Sequence, residues 1–230
     1  MNLLFRLLRI VVVALLRPRL DLLDRSELWL RVLPNDLDLN LHMNNGRYFT
    51  VMDLGRIDLV IRTGMVRWLF RQRWTPVVGA ETMRFRRALK PFERYRLLTR
   101  VLCWDEHWVF LEQRFETATG ELAAQGLVKA IILHERRTLR PREALKAMGL
   151  LRRSPPMPPA VKAWALAEEW MTEPRQAALE REDDADQAAI RPTLPEASQS
   201  VMTTAEVTTV ATDPSGPRPR RFTVWRRRRA

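Results

Sequence analysis

Hydrophobic and polar positions recur with a period near two over some stretches and near four over others, so the chain can be divided into elements. Leu28, Leu30 and Val32 alternate with Trp29, Arg31 and Leu33, which predicts a strand over 27–33. Residues 34–44 are polar and turn-like, with Pro34, Asn35, Asp36, Asp38 and Asn40. A long helix is expected from Asn44 or Asn45 to about Thr63: Tyr48, Met52, Gly55 and Leu59 recur at helical spacing, Asn44 suits the N-cap and Gly64 the stop. Gly55 in mid-helix costs about 1 kcal/mol against alanine, a cost that makes sense if the helix presses closely on a sheet. A second short helix is expected over 65–73. Strand-like runs follow at 82–87, 94–103, 107–115 and 122–133, with Asp105-Glu106 and Thr119-Gly120 as hairpin turns. Strand, long helix, then a meander of long antiparallel strands predicts an α+β domain in which a sheet wraps one central helix.

The two ends read differently. In residues 1–20 the run Ile10 to Leu16 is apolar, but Arg6 and Arg9 interrupt what precedes it and Arg17-Pro18-Arg19 follows. The run is short of the ~20 residues a membrane span needs, and no small-residue cleavage site follows it. On a helix, Asn2, Arg6, Arg9 and Arg17 fall near one stripe, with Leu3, Leu4, Leu7, Leu8 and Val11 beside or opposite it. Two readings fit: a helix lying in a membrane interface, or one docked on the protein's own core. Beyond about Gly149, Pro155, Pro156, Pro158 and Pro159 cluster, a mildly helical piece runs to about Glu182, and an acidic knot (Glu182, Asp183, Asp184, Asp186) precedes a stretch rich in Ala, Thr, Pro and Arg. Residues 155–230 therefore read as a linker and a mostly disordered tail.

At 230 residues with 46% apolar content the chain has room for one ordinary domain with extensions or for two very small ones. Eight glycines make extended phosphate-binding loops unlikely. Cys103 is the single cysteine, which excludes an intramolecular disulfide and a multi-cysteine metal site; it reads as a small packed hydrophobe. No histidine pair has metal-ligand spacing with an acid, so no metal and no cofactor is expected. The net charge of +12 invites an anionic partner, but seven arginines sit in the last fifteen residues. Nucleic-acid binding is thus a weak third reading, with no aromatic-basic motif to support it.

The candidate chemistry lies between Pro34 and Tyr48, in Pro-Asn-Asp-Leu-Asp-Leu-Asn-Leu-His-Met-Asn-Asn-Gly-Arg-Tyr. Carboxylates, an imidazole and amides precede a helix start, where unpaired N–H groups and a partial positive charge can hold an oxyanion. A carboxylate one loop away can attack a carbonyl carbon or activate water to do so. Thioesters suit such a site, because a thiolate leaves without strong acid help. Turn-forming and capping roles explain the same residue types.

This segment resembles the active-site signature of the hotdog thioesterases, Asp-x-Asp-x-x-x-His-x-Asn-Asn-x-x-Tyr, matched by Asp36, Asp38, His42, Asn44, Asn45 and Tyr48. It is especially similar to the plant acyl-carrier-protein form, with Asn40 also in register, and the apolar amino terminus is similar to the thioesterase superfamily member six branch. The resemblance spans about residues 25–140. It implies a hotdog fold over 21–150, preceded by the helix of 1–20 and followed by the tail of 151–230. It implies Asp38 as nucleophile or general base, with Asn40 and His42 beside it. Asn45 takes the place where a backbone N–H meets the thioester carbonyl, with Asn44 and Tyr48 alongside. Two positions depart from the pattern. Leu41 stands where many members have glycine, and Ala88 falls where the plant-type enzymes place a functional glutamate.

Several other residues are candidates. Asp53 and Asp58 are carboxylates on the long helix, better read as exposed or ion-paired. His107 and His134 are isolated. Arg84, Arg86 and Arg87 lead a run of strand arginines that could grip the phosphates of coenzyme A. The expected function is hydrolysis of acyl thioesters, acyl-CoA in particular, by a homodimer or tetramer in the cytoplasm, peripheral on a membrane through 1–20. The alternative is a hotdog protein that binds acyl-CoA or acyl chains without cleaving them, which Leu41 and Ala88 favour.

Overall fold

The computed structural model describes residues 3–171. The acidic knot and the basic tail lie outside the described residues. Helix α1 (Leu3–Leu16) leads into strand β1 (Ser26–Arg31), a 3-10 turn at Pro34–Asp36 and the long helix α2 (Asn45–Arg62). Then come α3 (Met65–Arg71), β2 (Trp74–Phe85), β3 (Arg94–Trp104), β4 (Val109–Thr117), β5 (Leu122–His134), the short β6 (Arg137–Leu139), α4 (Pro141–Ala147) and α5 (Pro159–Trp170). The main path of the sheet is β1-β3-β4-β5-β2, antiparallel throughout, with β6 added beside β5. This is the hotdog arrangement: a sheet curled about one helix.

Helix α2 begins where Asn44 accepts a hydrogen bond from the Gly46 N–H at 2.8 Å. Gly64, at φ 75°, follows its end. Its inner face buries Tyr48, Val51, Met52, Leu54 and Leu59 in one cluster with Leu97, Val101, Leu111, Phe115 and Val128 of the sheet. Gly55 lies where helix and sheet come closest. A Cβ there would stand 2.8 Å from Gln113 Nε2 and from Leu97 Cδ2. Gln113 is itself fixed, donating to the Met52 carbonyl and to Thr99 Oγ1, each at 2.9 Å. The glycine is the close-approach position that the helix pattern implied.

Strand β2 differs from the expected 82–87. It starts eight residues earlier, at Trp74, and ends at Phe85. Its first half escapes a period-two search because of a bulge between Val78 and Ala80, at Gly79. A Cβ on Gly79 would sit 2.7 Å from the Trp108 ring. Among the described residues β2 pairs along its length with β5 alone, leaving its other side as an open edge.

Both ends of the described chain pack on this domain. Helix α1 buries Arg6, Ile10 and Ala14. The helical piece after the proline cluster is α5. Its Val161 joins Cys103 and Phe110 in a small cluster, with Trp164 packed against it. Cys103 is fully buried, and burial pushes its thiol up to about 11, which keeps it protonated and inert at neutral pH.

Candidate active site

The loop between β1 and α2 is folded by its own polar groups. Asp36, 1% exposed, turns inward. Its carboxylate accepts from the Leu33 N–H at 2.9 Å and from Arg6 of α1, while its backbone carbonyl accepts from the Asn44 N–H at 2.8 Å. Arg6, 5% exposed, also donates to the Arg31 carbonyl at 3.2 Å. A paired, multiply hydrogen-bonded buried carboxylate of this kind is structural. The loop then crosses itself: Leu37 bridges Met43, and the Asp38 N–H donates to the His42 carbonyl at 2.9 Å. Met43 in turn donates to the Leu89 carbonyl at 3.0 Å, which ties the loop to the stretch after β2.

Asp38, two residues on, points the other way. Its Oδ1 accepts from the backbone N–H of Asn40 at 2.8 Å and of His42 at 3.3 Å. No bond to Oδ2 is made among the described residues. The carboxylate is half-buried in a surface depression lined by Pro34, Leu37, Leu39, Asn40, Leu41 and Asn44. Asn45 is the first residue of α2, so its N–H has no intrahelical acceptor and stands available at the positive end of the helix. A half-oriented carboxylate and a free helix N-terminal donor thus share one loop. That pair can deliver an oxygen nucleophile and stabilise the oxyanion it creates.

The other sequence candidates fall into place around this centre. Asn40 and His42 hold Asp38 through their backbone N–H groups, and both His42 and Asp38 are half-buried. Asn44 is the helix cap. Tyr48 is 1% exposed, packed edge-on to Phe85 and Phe115 with ring centroids 5.1 and 4.8 Å away. Burial raises its pKa, against a hydrogen bond to the Leu89 backbone. Its place is the floor behind the site. Leu41 has φ 57°, the left-handed conformation in which glycine costs least.

Ala88 is exposed on the stretch that abuts the loop. Arg84 and Arg86 are exposed nearby in the chain, whereas Arg87 is occupied by Glu93 at 2.6 Å and Glu121 at 3.3 Å. The arginines farther along the strands are likewise engaged: Arg96 with Glu116 at 2.7 Å, Arg100 with Glu112 at 2.8 Å, and Arg94 over the Trp29 ring. Paired in this way, they form no free basic stripe for a polyanion.

The helix carboxylates stand apart from the loop. Asp53 is ion-paired with Arg56, which also holds Glu81, and both line the apolar cavity rather than the depression. Asp58 is fully buried against Ser26 and lies 3.6 Å from Arg62. Among the described residues no group of three or more His, Cys, Asp or Glu could hold a metal ion.

Two features were not legible in the sequence. One is Arg6, which reads as part of a helix's polar stripe until the fold brings it to Asp36, thirty residues away. The other is a cavity of about 860 Å³ between α2, α3, β2 and α1. Ile57, Val60, Val66, Trp74 and Val101 help line it, with Leu7 and Val11 of α1. On α2 its residues continue a stripe that starts at Asn45 and runs through Phe49 and Asp53 to Ile57 and Val60.

Known proteins extend this picture. A probable thioesterase of Saccharomyces cerevisiae, YBR096W, is 31% identical over 120 residues, covering 51% of this chain and 52% of the yeast protein. Protein THEM6 of Danio rerio is 36% identical over 123 residues, covering 54% and 58%. The chain spans about half the length of the curated relatives it matches. The crystal structure of YbaW, a probable thioesterase from Escherichia coli, superposes with a TM-score of 0.50 at 17% identity over 55% of this chain and 98% of that one, a likeness of fold. The sequence model of the thioesterase-like superfamily matches residues 32–165, more than half of the chain and the whole span from the site loop to the last strand, and the protein belongs to that superfamily.

Proposed function

We propose that the protein hydrolyses acyl thioesters, acyl-CoA in particular, at Asp38. One observation carries this reading. Asp38 keeps one carboxylate oxygen on two backbone N–H groups and leaves the other free, one loop away from the unpaired Asn45 N–H at the start of α2. The thioester carbonyl oxygen would sit on that N–H, where the helix end favours negative charge. Asp38 then takes a proton from water as the water oxygen adds to the carbonyl carbon, or adds to it directly as nucleophile. Collapse of the tetrahedral intermediate breaks the C–S bond and expels the thiolate; in the water route the acyl group leaves at once as the carboxylic acid and the proton on Asp38 passes to the thiolate, and in the direct route the acid leaves after water hydrolyses the acyl-aspartyl anhydride. Arg84 and Arg86 are the side chains offered to the coenzyme A phosphates.

An aliphatic acyl chain fits this arrangement. The cavity's volume lies within the range of about 300–1,000 Å³ typical of small-molecule sites, and the α2 stripe leads to it from the oxyanion position. Leu39 and Leu41 stand exposed beside Asp38, and β2 offers a free edge. Both features support a homo-oligomer in which a second copy covers the site. The same reading puts the activity at a membrane surface, reached through residues 1–20.

The test is thiol release from short-, medium- and long-chain acyl-CoAs by the protein and by Asp38→Asn. Turnover that falls at least about a hundredfold in the variant, which retains the loop's hydrogen-bonding shape, is expected. Equal turnover in both proteins would remove Asp38 from the chemistry. Ala88 favours a second reading, chain binding without cleavage, because no acid stands at that exposed position beside the loop. Acyl-CoA that binds but is not turned over by either protein would establish it.

A further inference from the structure

Helix α1 is apolar on nearly every side and docks with one charge, Arg6, buried beneath it, while Leu3 and Leu7 also pack on the core. Its inner face carries Arg6, Ile10 and Ala14, and Arg6 is held there by the Asp36 carboxylate and the Arg31 carbonyl. Its outer face is Leu4, Phe5, Leu8, Val12, Leu15 and Leu16, each between 49% and 82% exposed. At 100° per residue these positions cover about a third to a half of the helix circumference, centred near Val12. Both faces are apolar, so burying one leaves the other in water. The ion pair with Asp36 adds a polar tie that holds this face outward.

We propose that this outer face is a docking surface for an anionic phospholipid bilayer, with α1 lying in the interface and parallel to it. Three observations select that occupant. The exposed arc is wider than the two-positions-per-heptad seam that a partner helix would fill, and suits a slab. Residues 1–20 contain four arginines and no acid, and Arg9 and Arg19 are exposed at the margin and just past the end of the apolar arc, where lipid phosphates would meet them. Helix α1 has 14 residues, and no helix among the described residues is long and apolar enough to cross a membrane, so it lies on the bilayer rather than through it.

The docking has a consequence for the site. Arg6 ties α1 to Asp36, two residues before Asp38, and Leu7 and Val11 of the same helix wall the apolar cavity. A protein seated through this face holds its cavity wall and site loop at the bilayer, where long-chain acyl thioesters partition. This last step rests on the thioesterase reading; the docking does not.

The experiment is co-sedimentation of the full chain with vesicles of phosphatidylcholine alone and mixed with phosphatidylglycerol, at low and high salt. Leu8→Glu and Leu16→Glu are compared with Leu151→Glu, an equivalent change at another exposed leucine. The protein and the Leu151→Glu variant are expected to sediment with mixed vesicles, with attraction partly retained at high salt, because screening weakens ionic contacts but not apolar burial. Leu8→Glu and Leu16→Glu should each lose about tenfold or more in partitioning. Vesicle binding that is the same in all four proteins, or that vanishes with salt in all four, would assign it to the basic carboxyl-terminal arginines and overturn the proposal. So would the absence of binding, or a shift from dimer to monomer caused only by the α1 variants, which would make the face a contact between copies. Turnover of a short-chain, water-soluble acyl-CoA is measured in parallel. Its absence from proteins that still sediment would sink the hydrolytic reading and leave the docking intact.

Discussion

The two aspartates of the site loop differ by two positions and by almost everything else. Asp36 is buried, ion-paired to Arg6 and bonded to the backbone, so it holds the loop's shape. Asp38 is half-buried with one oxygen unbonded among the described residues, and so it is the carboxylate to which the proposed reading gives the chemistry. Between Asp38 and His42 the chain must turn sharply enough for the Asp38 N–H to reach the His42 carbonyl, and Leu41 takes the left-handed conformation that this turn needs. An L residue there costs about 1–2 kcal/mol, part of which glycine returns as unfolded-state entropy. The Leu41 side chain is 65% exposed and gives up little packing. Leu41→Gly should therefore raise stability by about 0.5–1 kcal/mol, read as a higher midpoint in thermal or urea unfolding. An unchanged or lowered midpoint would show that the leucine is held there by contacts with another molecule. The departure from the family's glycine is thus a matter of backbone strain, and leaves Asp38 in place.

At the scale of elements, α2 serves two surfaces. Its inner face packs into the sheet so closely that Gly55 has no room for a side chain, and its outer stripe runs from Asn45 to the cavity. Gly55→Ala would push a methyl group against Gln113 and Leu97, both buried and the former hydrogen-bonded into the helix. Overpacking of this kind costs about 1–3 kcal/mol, against the roughly 1 kcal/mol that alanine returns as helix propensity. A net loss of up to about 2 kcal/mol is expected in denaturant unfolding, with a larger fall in turnover on the proposed reading, in which the N-terminus of α2 receives the oxyanion. Stabilisation by this substitution would mean that helix and sheet have slack between them.

At the scale of the molecule, the homo-oligomer reading rests on the edge of β2 left unpaired among the described residues, twelve residues long, with Val77, Val78 and Ala80 in its middle. Such an edge pairs with another unless something blunts it. Sedimentation velocity is expected to show a dimer, and Val78→Lys, placed at an exposed apolar position of that edge, to shift it toward monomer with loss of turnover. A monomeric wild-type protein with full activity would show that Leu39 and Leu41 need no second copy to cover them.

Much of this was written in local chemistry. The cap at Asn44, the stop at Gly64 and the hairpin turns depend on residues within a few positions of one another, and so they could be read from the chain alone. The site loop was legible for the same reason: Asp38, Asn40, His42 and the helix start are contiguous, and their bonds are local. The first half of β2 was not legible, because its bulge at Gly79 answers to the ring of Trp108, almost thirty residues on. The chain also could not say which way α1 faces. Leucines and valines surround the helix, so either side could turn inward, and the choice is made by the packing of Ile10 and Ala14 together with a buried ion pair between Arg6 and Asp36, contacts that exist only once the loop and the helix have been folded together. Periodicity determines that a helix forms; only the partners it meets in the folded protein decide which of its faces is left for the outside.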